Sequence, residues 1–165
     1  MPWRRRSEVN IEMLRKRPGP LTKPTGAAAT VAFIVGGILV IWLSYIHFHL
    51  WLSVGYRRIP TIGPLFVVQS IAGVLIGLLT IPRRRVWTAV IGAGFAVATL
   101  VGFLLSVGIG LFGFKDSWSA PDAHVAFVLE IVATAVFAVA GALCFIGAGS
   151  SKGARRTLTG SPQHA

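Results

Sequence analysis

Acidic residues are scarce in this sequence. Its 165 residues include only 5 Asp and Glu against 16 Lys and Arg, which gives a formal net charge of +11. Charged residues make up 13% of the chain, about half the share that is usual in a soluble globular domain. Apolar residues make up 54%, and the mean hydropathy is +0.72. These values exclude an ordinary soluble domain and favour an integral membrane protein with one small bundle.

Cysteine and catalytic motifs are also nearly absent. The single cysteine, Cys144, excludes a disulfide within the chain and a CxxC redox pair, and with them the four-helix membrane thiol oxidoreductases. The sequence contains no Walker loop, no HExxH, no GxSxG and no paired-carboxylate motif in a soluble segment. The connections are too short to carry a catalytic domain. An enzyme is therefore not favoured, and we expect no cofactor.

Four long apolar runs dominate the chain. Each is long enough for a helix to cross the roughly 30 Å hydrocarbon core, which needs about 20 helical residues. Because the connections are short, sequential antiparallel packing is expected. The sequence thus predicts an all-α fold, a four-helix transmembrane bundle over residues 27–147, with the helices at about 27–52, 62–81, 86–114 and 123–147.

The two ends of the chain are polar. Residues 1–26 form a basic leader that ends in a proline- and glycine-rich stretch, and we expect either a solvated leader or a short helix on the membrane surface. Residues 148–165 are expected to form a disordered tail.

The basic residues are distributed unevenly. Of the 16 Lys and Arg, only Arg57, Arg58 and Lys115 lie in the first and third connections. The others lie in the leader, the 82–85 loop and the tail. The positive-inside rule then predicts a multi-pass protein of the plasma membrane whose two termini lie in the cytoplasm. Anionic lipids are the expected partner of the leader and the 82–85 loop, and nucleic acid is not needed to explain the charge.

Polar residues within the apolar runs follow small residues at helical spacing. Because small residues mark the packed faces of membrane helices and polar side chains avoid lipid, both patterns indicate inward-facing positions. The stripes are Gln69–Gly73–Gly77, Gly102–Ser106–Gly110 and Glu130–Thr134–Ala138–Ala142, and His47 shares a face with Gly36. The sequence predicts a polar cluster of His47, Gln69, Ser106 and Glu130 in the outer half of the bundle.

Glu130 is the most informative member of this predicted cluster. A carboxylate in the membrane is costly unless it is paired or hydrated. His47, Arg57 or Arg58 are its candidate partners. Two interpretations remain open: interhelical hydrogen bonding that only holds the bundle together, or a carboxyl that responds to protons or binds a ligand.

Two further histidines are expected at the outer interface. His49 lies about 200° around the helix from His47, so the pair cannot share one metal. Together with His124 and the interfacial Arg57 and Arg58, His49 is expected near the headgroups. No metal site is predicted, although an interfacial metal that includes Asp122, or a haem between two histidines, remains open on residue type alone.

The connection "GYRRIPTIGP" has a recognisable turn pattern. Gly55 permits a positive φ, Pro60 favours an extended Ile59, and Pro64 suits the first turn of a helix. We expect a compact connection that lies against the bundle.

The stretch "IHFHLWLSVGYRRIPTIGPLFVVQ" resembles small four-helix membrane proteins of high-GC Gram-positive bacteria, which share an H-x-x-L/W…GYR-x-IP-x-IGPLF pattern between helices one and two. The resemblance implies the four-helix topology. It implies no site residues, because the family has no established activity.

Two functions from different classes remain. The sequence favours a non-catalytic accessory or structural subunit, with a second copy or a membrane complex as partner. The alternative is a small-ligand-binding or proton-coupled transport protein, in which Glu130 titrates and His47 and Gln69 orient the ligand.

Overall fold

The computed structural model describes residues 26–158, and the side chains of residues 26–146. It contains four long helices: α1 (Ala27–His49), α2 (Ile62–Thr80), α3 (Val86–Gly108) and α4 (Ala123–Leu158). Each contains a stretch long and apolar enough to cross a membrane, and no strand occurs in the described part of the chain. The predicted all-α four-helix bundle is confirmed, and the chain is a multi-pass membrane protein.

The helix ends differ from the predicted ones in three places. α3 stops at Gly108 rather than near residue 114, because Gly110 and Gly113 adopt positive φ angles of 87° and 78° that a helix does not permit. α1 passes into a π-helical turn, Leu50–Val54. α4 continues through residues 148–158, into the segment expected to be a disordered tail. The leader up to residue 25 and the last residues, 159–165, lie outside the described part.

The connections divide the bundle into two ends. The Tyr56 end carries residues 50–61 and 109–122, and the Arg84 end carries residues 81–85. Around the bundle the helices pack in the order α2–α1–α4–α3, whereas α2 and α3 contact each other much less. One side of the bundle, between α2 and α3, is therefore only partly closed.

The packing of α1 against α4 follows a heptad seam. Buried residues recur at alternating steps of four and three along both helices, which is the spacing of a left-handed helix pair. The seam residues of α1 are Ala29, Phe33, Gly36, Val40, Leu43 and His47. Those of α4 are Ala126, Glu130, Ala133, Phe137, Ala140 and Cys144. Glu130 thus occupies a core position that an apolar residue would normally fill.

Phe137 joins three helices at one point. Its ring is 1% exposed and lies between glycines of the two neighbouring helices. A Cβ atom built on Gly36 of α1 would lie 2.9 Å from the ring, and one built on Gly92 of α3 would lie 2.5 Å from it. The Phe137 ring fits at this point only because both positions are glycine, since a side chain at either would occupy the space of the ring.

The glycine and alanine stripes predicted for α3 and α4 were only partly correct. On α4, Ala138 and Ala142 are exposed, and on α3 a Cβ at Gly102 would meet nothing within 4 Å. On α4 each step of four advances about 40° beyond a full turn, and the stripe has left the packed face by Ala138. The α2 stripe holds, because Gly73 and Gly77 are both buried.

The outer surface of the bundle is apolar. Val68, Leu75 and Val90 are each more than 60% exposed, as are other large apolar side chains on all four helices. Such a surface would aggregate in water, whereas lipid chains solvate it.

We predict opposite effects for two alanine substitutions on α3. Gly92→Ala forces a methyl group against Phe137, which Gly36 prevents from moving away, so we expect a loss of about 1–3 kcal/mol. Gly94→Ala meets nothing within 4 Å and should be neutral or stabilising by up to about 1 kcal/mol through helix propensity. Thermal unfolding in detergent compares the two variants.

The second substitution Phe137→Leu should recover part of the Gly92→Ala loss, because it removes the ring atoms that clash. Equal stability of the Gly92→Ala and Gly94→Ala variants would contradict the close packing described for Phe137.

Candidate ligand-binding cleft

A cleft of about 350 Å³ lies between α2 and α3, towards the Tyr56 end. It occupies the side of the bundle where these two helices diverge. Leu65 and Val68 line it and are also exposed on the surface, so the cleft opens towards lipid. Its polar lining residues are His47, Gln69, Thr99, Ser106 and Asp116. Its aromatic lining residues are Phe66, Phe95, Phe103 and Phe114.

His47 and Gln69 form a hydrogen bond between α1 and α2. The Nδ1 atom of His47 lies 2.8 Å from the carbonyl oxygen of Leu43. Since a carbonyl only accepts, Nδ1 carries the proton and Nε2 presents a lone pair. The Gln69 amide donates to that lone pair at 3.0 Å. Both ring nitrogens are thereby engaged, and the carbonyl oxygen of Gln69 remains as an acceptor at the cleft wall.

The 50–61 connection packs behind the cleft wall at its Tyr56 end. Gly55 has a φ of 102°, Ile59 is extended, and Pro64 lies in the first turn of α2, so the predicted turn pattern is confirmed. This course turns Tyr56 inward, where it is 7% exposed. Its ring stacks on Phe66 with the centroids 4.9 Å apart, and Phe66 in turn lies 5.0 Å from the His47 ring.

Tyr56 also holds Asp116 at the cleft. The tyrosine hydroxyl donates to the carboxylate, at 3.1 Å from Oδ1 and 3.3 Å from Oδ2. The Ser117 amide donates to Oδ1 at 2.8 Å, and the Asp116 amide donates to the Ser106 carbonyl at 3.1 Å. Burial raises the pKa of Tyr56 above its usual value, and the nearby Asp116 charge raises it further. The two connections of this end are thus joined through one carboxylate.

Glu130 lies behind the cleft wall rather than in it. Its side chain is 1% exposed, and it is not among the residues that line the cleft. Thr99, which does line the cleft, neighbours the carboxyl, and its hydroxyl donates to the Ala96 carbonyl at 2.9 Å. The Glu130 Oε2 atom has no hydrogen-bond partner within the described residues. Along the seam, Glu130 lies at the depth of Leu43 on α1. His47 is one helical turn further towards the Tyr56 end, so the two predicted cluster residues differ in depth by about one turn.

The structure therefore brings three of the four predicted cluster residues to one cleft: His47, Gln69 and Ser106. The fourth, Glu130, is connected to it through Thr99. None of the partners considered for Glu130 contacts its carboxyl within the described residues: His47 bonds to Gln69, and Arg57 and Arg58 are exposed.

The predicted interfacial residues lie at the Tyr56 end but outside the cleft. His49 is half-buried and stacks on Tyr45, with the ring centroids 6.1 Å apart. His124 is exposed and packs on Trp118 at 5.6 Å. Among the described residues, no group of three His, Cys, Asp or Glu is arranged to hold a metal ion.

Sequence reasoning missed Thr99 and Asp116. The heptad step could have found Thr99, because it lies seven residues after Gly92, on the same face of α3. Nothing local marks Asp116, whose position depends on the left-handed glycines of the 109–122 connection and on the distant Tyr56.

No family model, no curated protein and no solved structure matches this chain.

We predict that Tyr56→Phe destabilises the protein near neutral pH by about 1 kcal/mol, through loss of the hydrogen bond to Asp116. The pKa of Tyr56 is raised in the folded state, so its stabilising effect is complete below the unfolded pKa of about 10 and is lost as the pH rises above that value. Thermal unfolding in detergent between pH 7 and 11 should show the wild-type advantage shrinking above about pH 10. A difference that stays constant with pH would mean that the hydroxyl is not held as described.

We predict that Glu130→Gln leaves stability unchanged within about 0.5 kcal/mol, or raises it. Glutamine keeps the shape and relieves the cost of a carboxyl whose Oε2 atom has no described partner. Gln69→Leu is the comparison, because it leaves His47 Nε2 without its donor and should cost about 1 kcal/mol. Both are measured by thermal unfolding in detergent. A loss from Glu130→Gln as large as that from Gln69→Leu would assign the carboxyl to bundle cohesion.

Proposed function

We propose that this chain is an integral membrane protein that binds a small amphipathic ligand in the cleft between α2 and α3. The ligand enters from the lipid side, places its apolar body against the phenylalanines and directs its polar group towards Gln69, Ser106 and Asp116. The observation that carries the proposal is the cleft itself, in which polar groups from three helices and a connection converge on one space of ligand size.

The chemistry of the lining supports this function. Small-molecule sites are mostly apolar, with a few placed polar groups that fix orientation. Here the apolar walls include Phe95 and Phe103, and the polar groups are an imidazole, a carboxamide, two hydroxyls and a carboxylate. The His47 bond fixes the Gln69 amide, and the Tyr56 bond fixes the Asp116 carboxylate, so both are oriented before a ligand arrives.

A purely structural accessory role has less support. In that role the buried polar residues would join the helices to each other. His47 does join α1 to α2 through Gln69, but several of the buried hydroxyls bond to carbonyls of their own helix, as Ser44 does to Val40 and Ser70 to Phe66. They are satisfied locally and hold no second helix.

The orientation in the membrane is part of the proposal. We place both termini on the cytoplasmic side of the plasma membrane, which puts the cleft in the outer half of the bilayer. The distribution of Lys and Arg supports this placement. Anionic lipids would then contact the Arg84 end, where Arg83 is exposed.

Photolabelling in liposomes tests the proposed binding. A trifluoromethyl-diazirine derivative of benzyl alcohol is a neutral amphipathic probe, and its adducts are located by mass spectrometry. We expect adducts on cleft residues that an excess of unlabelled phenylbutanol abolishes. Adducts on the lipid-facing surface should not saturate.

The matched variants are Gly102→Leu and Gly94→Leu. Both glycines lie on α3 with nothing within 4 Å of an added Cβ, but only Gly102 lines the cleft. Gly102→Leu should abolish the saturable adducts, and Gly94→Leu should keep them. If the wild type shows no saturable labelling in the cleft, or if Gly102→Leu keeps it, the proposed function is wrong.

A further inference from the structure

We propose that the ligand of the α2–α3 cleft is a lipophilic cation, such as a substituted ammonium with an aromatic or alkyl body, and that Asp116 is the group that selects its charge. This inference rests on the proposed function, because it names the ligand class of the same site.

The charge carried by the described lining of the cleft is negative. Asp116 contributes a carboxylate to the cleft, and among the described residues that line it there is no Lys or Arg. Both nitrogens of His47 are engaged in hydrogen bonds, and Nε2 presents a lone pair rather than a proton. An anion would therefore meet a like charge at the Tyr56 end of the cleft and no cationic partner, whereas a cation would meet an opposite charge.

The partners of Asp116 leave its charge available. The described donors to its carboxylate are the Tyr56 hydroxyl and the Ser117 amide, which are both uncharged. Lys115, the neighbour in sequence, is exposed and does not line the cleft, and the same holds for Arg57 and Arg58. The carboxylate is thus held in position without being neutralised.

The aromatic lining favours the same ligand class. Phe95 lines the cleft midway along α3, and Phe66, Phe103 and Phe114 line it nearer its Tyr56 end. Ring faces attract cations within about 6 Å of the centroid, more strongly where water is excluded. A neutral amphiphile would gain only apolar contact from these rings, so the carboxylate and the four rings together favour a positive charge.

Three ligands with the same body test the charge preference. Phenylbutyl-trimethylammonium, phenylbutanol and phenylbutane sulfonate differ only in the head group. Each competes with the photoreactive benzyl alcohol for the wild-type protein in nanodiscs of phosphatidylcholine, a lipid without net charge. We expect the ammonium to compete at a concentration at least tenfold lower than the alcohol, and the sulfonate to compete at a higher concentration than either.

Two aspartate variants separate the site from the general charge of this end. Asp116→Asn keeps the shape and removes the lining charge, so the ammonium should lose about tenfold in competition, whereas the alcohol, whose hydroxyl an amide can still bond, should lose less than threefold. Asp122→Asn is the matched control, because Asp122 is exposed at the same end and lines no part of the cleft. Its φ of 57° is one that Asn also tolerates. It should change ammonium competition by less than twofold.

The outcomes distinguish the two proposals. The cation inference is wrong if saturable labelling occurs but the sulfonate competes as well as the ammonium. It is also wrong if Asp116→Asn has no effect on that competition. Either result leaves the proposed function intact. An equal loss in both aspartate variants also overturns it, because the effect would then come from the surface charge. Absence of saturable labelling in the cleft overturns both. Circular dichroism and a single elution peak confirm that each variant is folded.

Discussion

Close packing along the α1–α4 seam is the constraint on which the rest of the bundle depends. In lipid there is little hydrophobic gain from bringing helices together, so association relies on shape and close approach. Here the approach is possible because Gly36 and Gly92 leave room for the Phe137 ring. A second close approach, between Gly37 and Gly77, fixes α2 against α1, with a Cβ on Gly77 only 2.7 Å from the Gly37 carbonyl. These two contacts set the order α2–α1–α4–α3, whereas α2 and α3 approach closely at Gly73, where a Cβ would lie 2.8 Å from the Phe95 ring, and diverge beyond it.

The cleft follows from that order. The short connection at residues 81–85 brings α2 and α3 together at the Arg84 end, where Arg84 also donates to the Ile81 carbonyl and to Thr30 of α1. Towards the Tyr56 end no glycine pair draws them together, and Gly102 faces open space. The helices therefore diverge, and the 109–122 connection places Asp116 over the gap. The cleft therefore forms because small residues bring the helices together elsewhere in the bundle but not at this end of α2 and α3.

The sequence was sufficient for the fold and for part of the site. Length and hydropathy predicted the four helices, and the association of polar with small residues placed His47, Gln69 and Ser106 on inward faces, since both patterns reflect the same avoidance of lipid. The α4 stripe was only partly correct because a step of four alone drifts off a heptad seam, and Gly102 of the α3 stripe faces the cleft instead of a helix. Asp116 could not be predicted, because no periodicity governs a connection whose course is set by Gly110, Gly113 and a tyrosine 60 residues away in the chain.

The position of Glu130 is the strongest reason to separate the polar residues into two kinds. Thr80, Thr88 and Thr134 donate to carbonyls of their own helix or the adjoining turn, so they satisfy the backbone geometry and need nothing further. Glu130 fills a seam position that an apolar residue would stabilise better, and its Oε2 atom has no hydrogen-bond partner among the described residues. Its neighbour Thr99 donates to the Ala96 carbonyl at 2.9 Å, so that hydroxyl is also satisfied within its own helix. The described hydrogen bonds thus orient Gln69 and Asp116 at the cleft, whereas Glu130 is held by the packing of the seam behind the cleft wall.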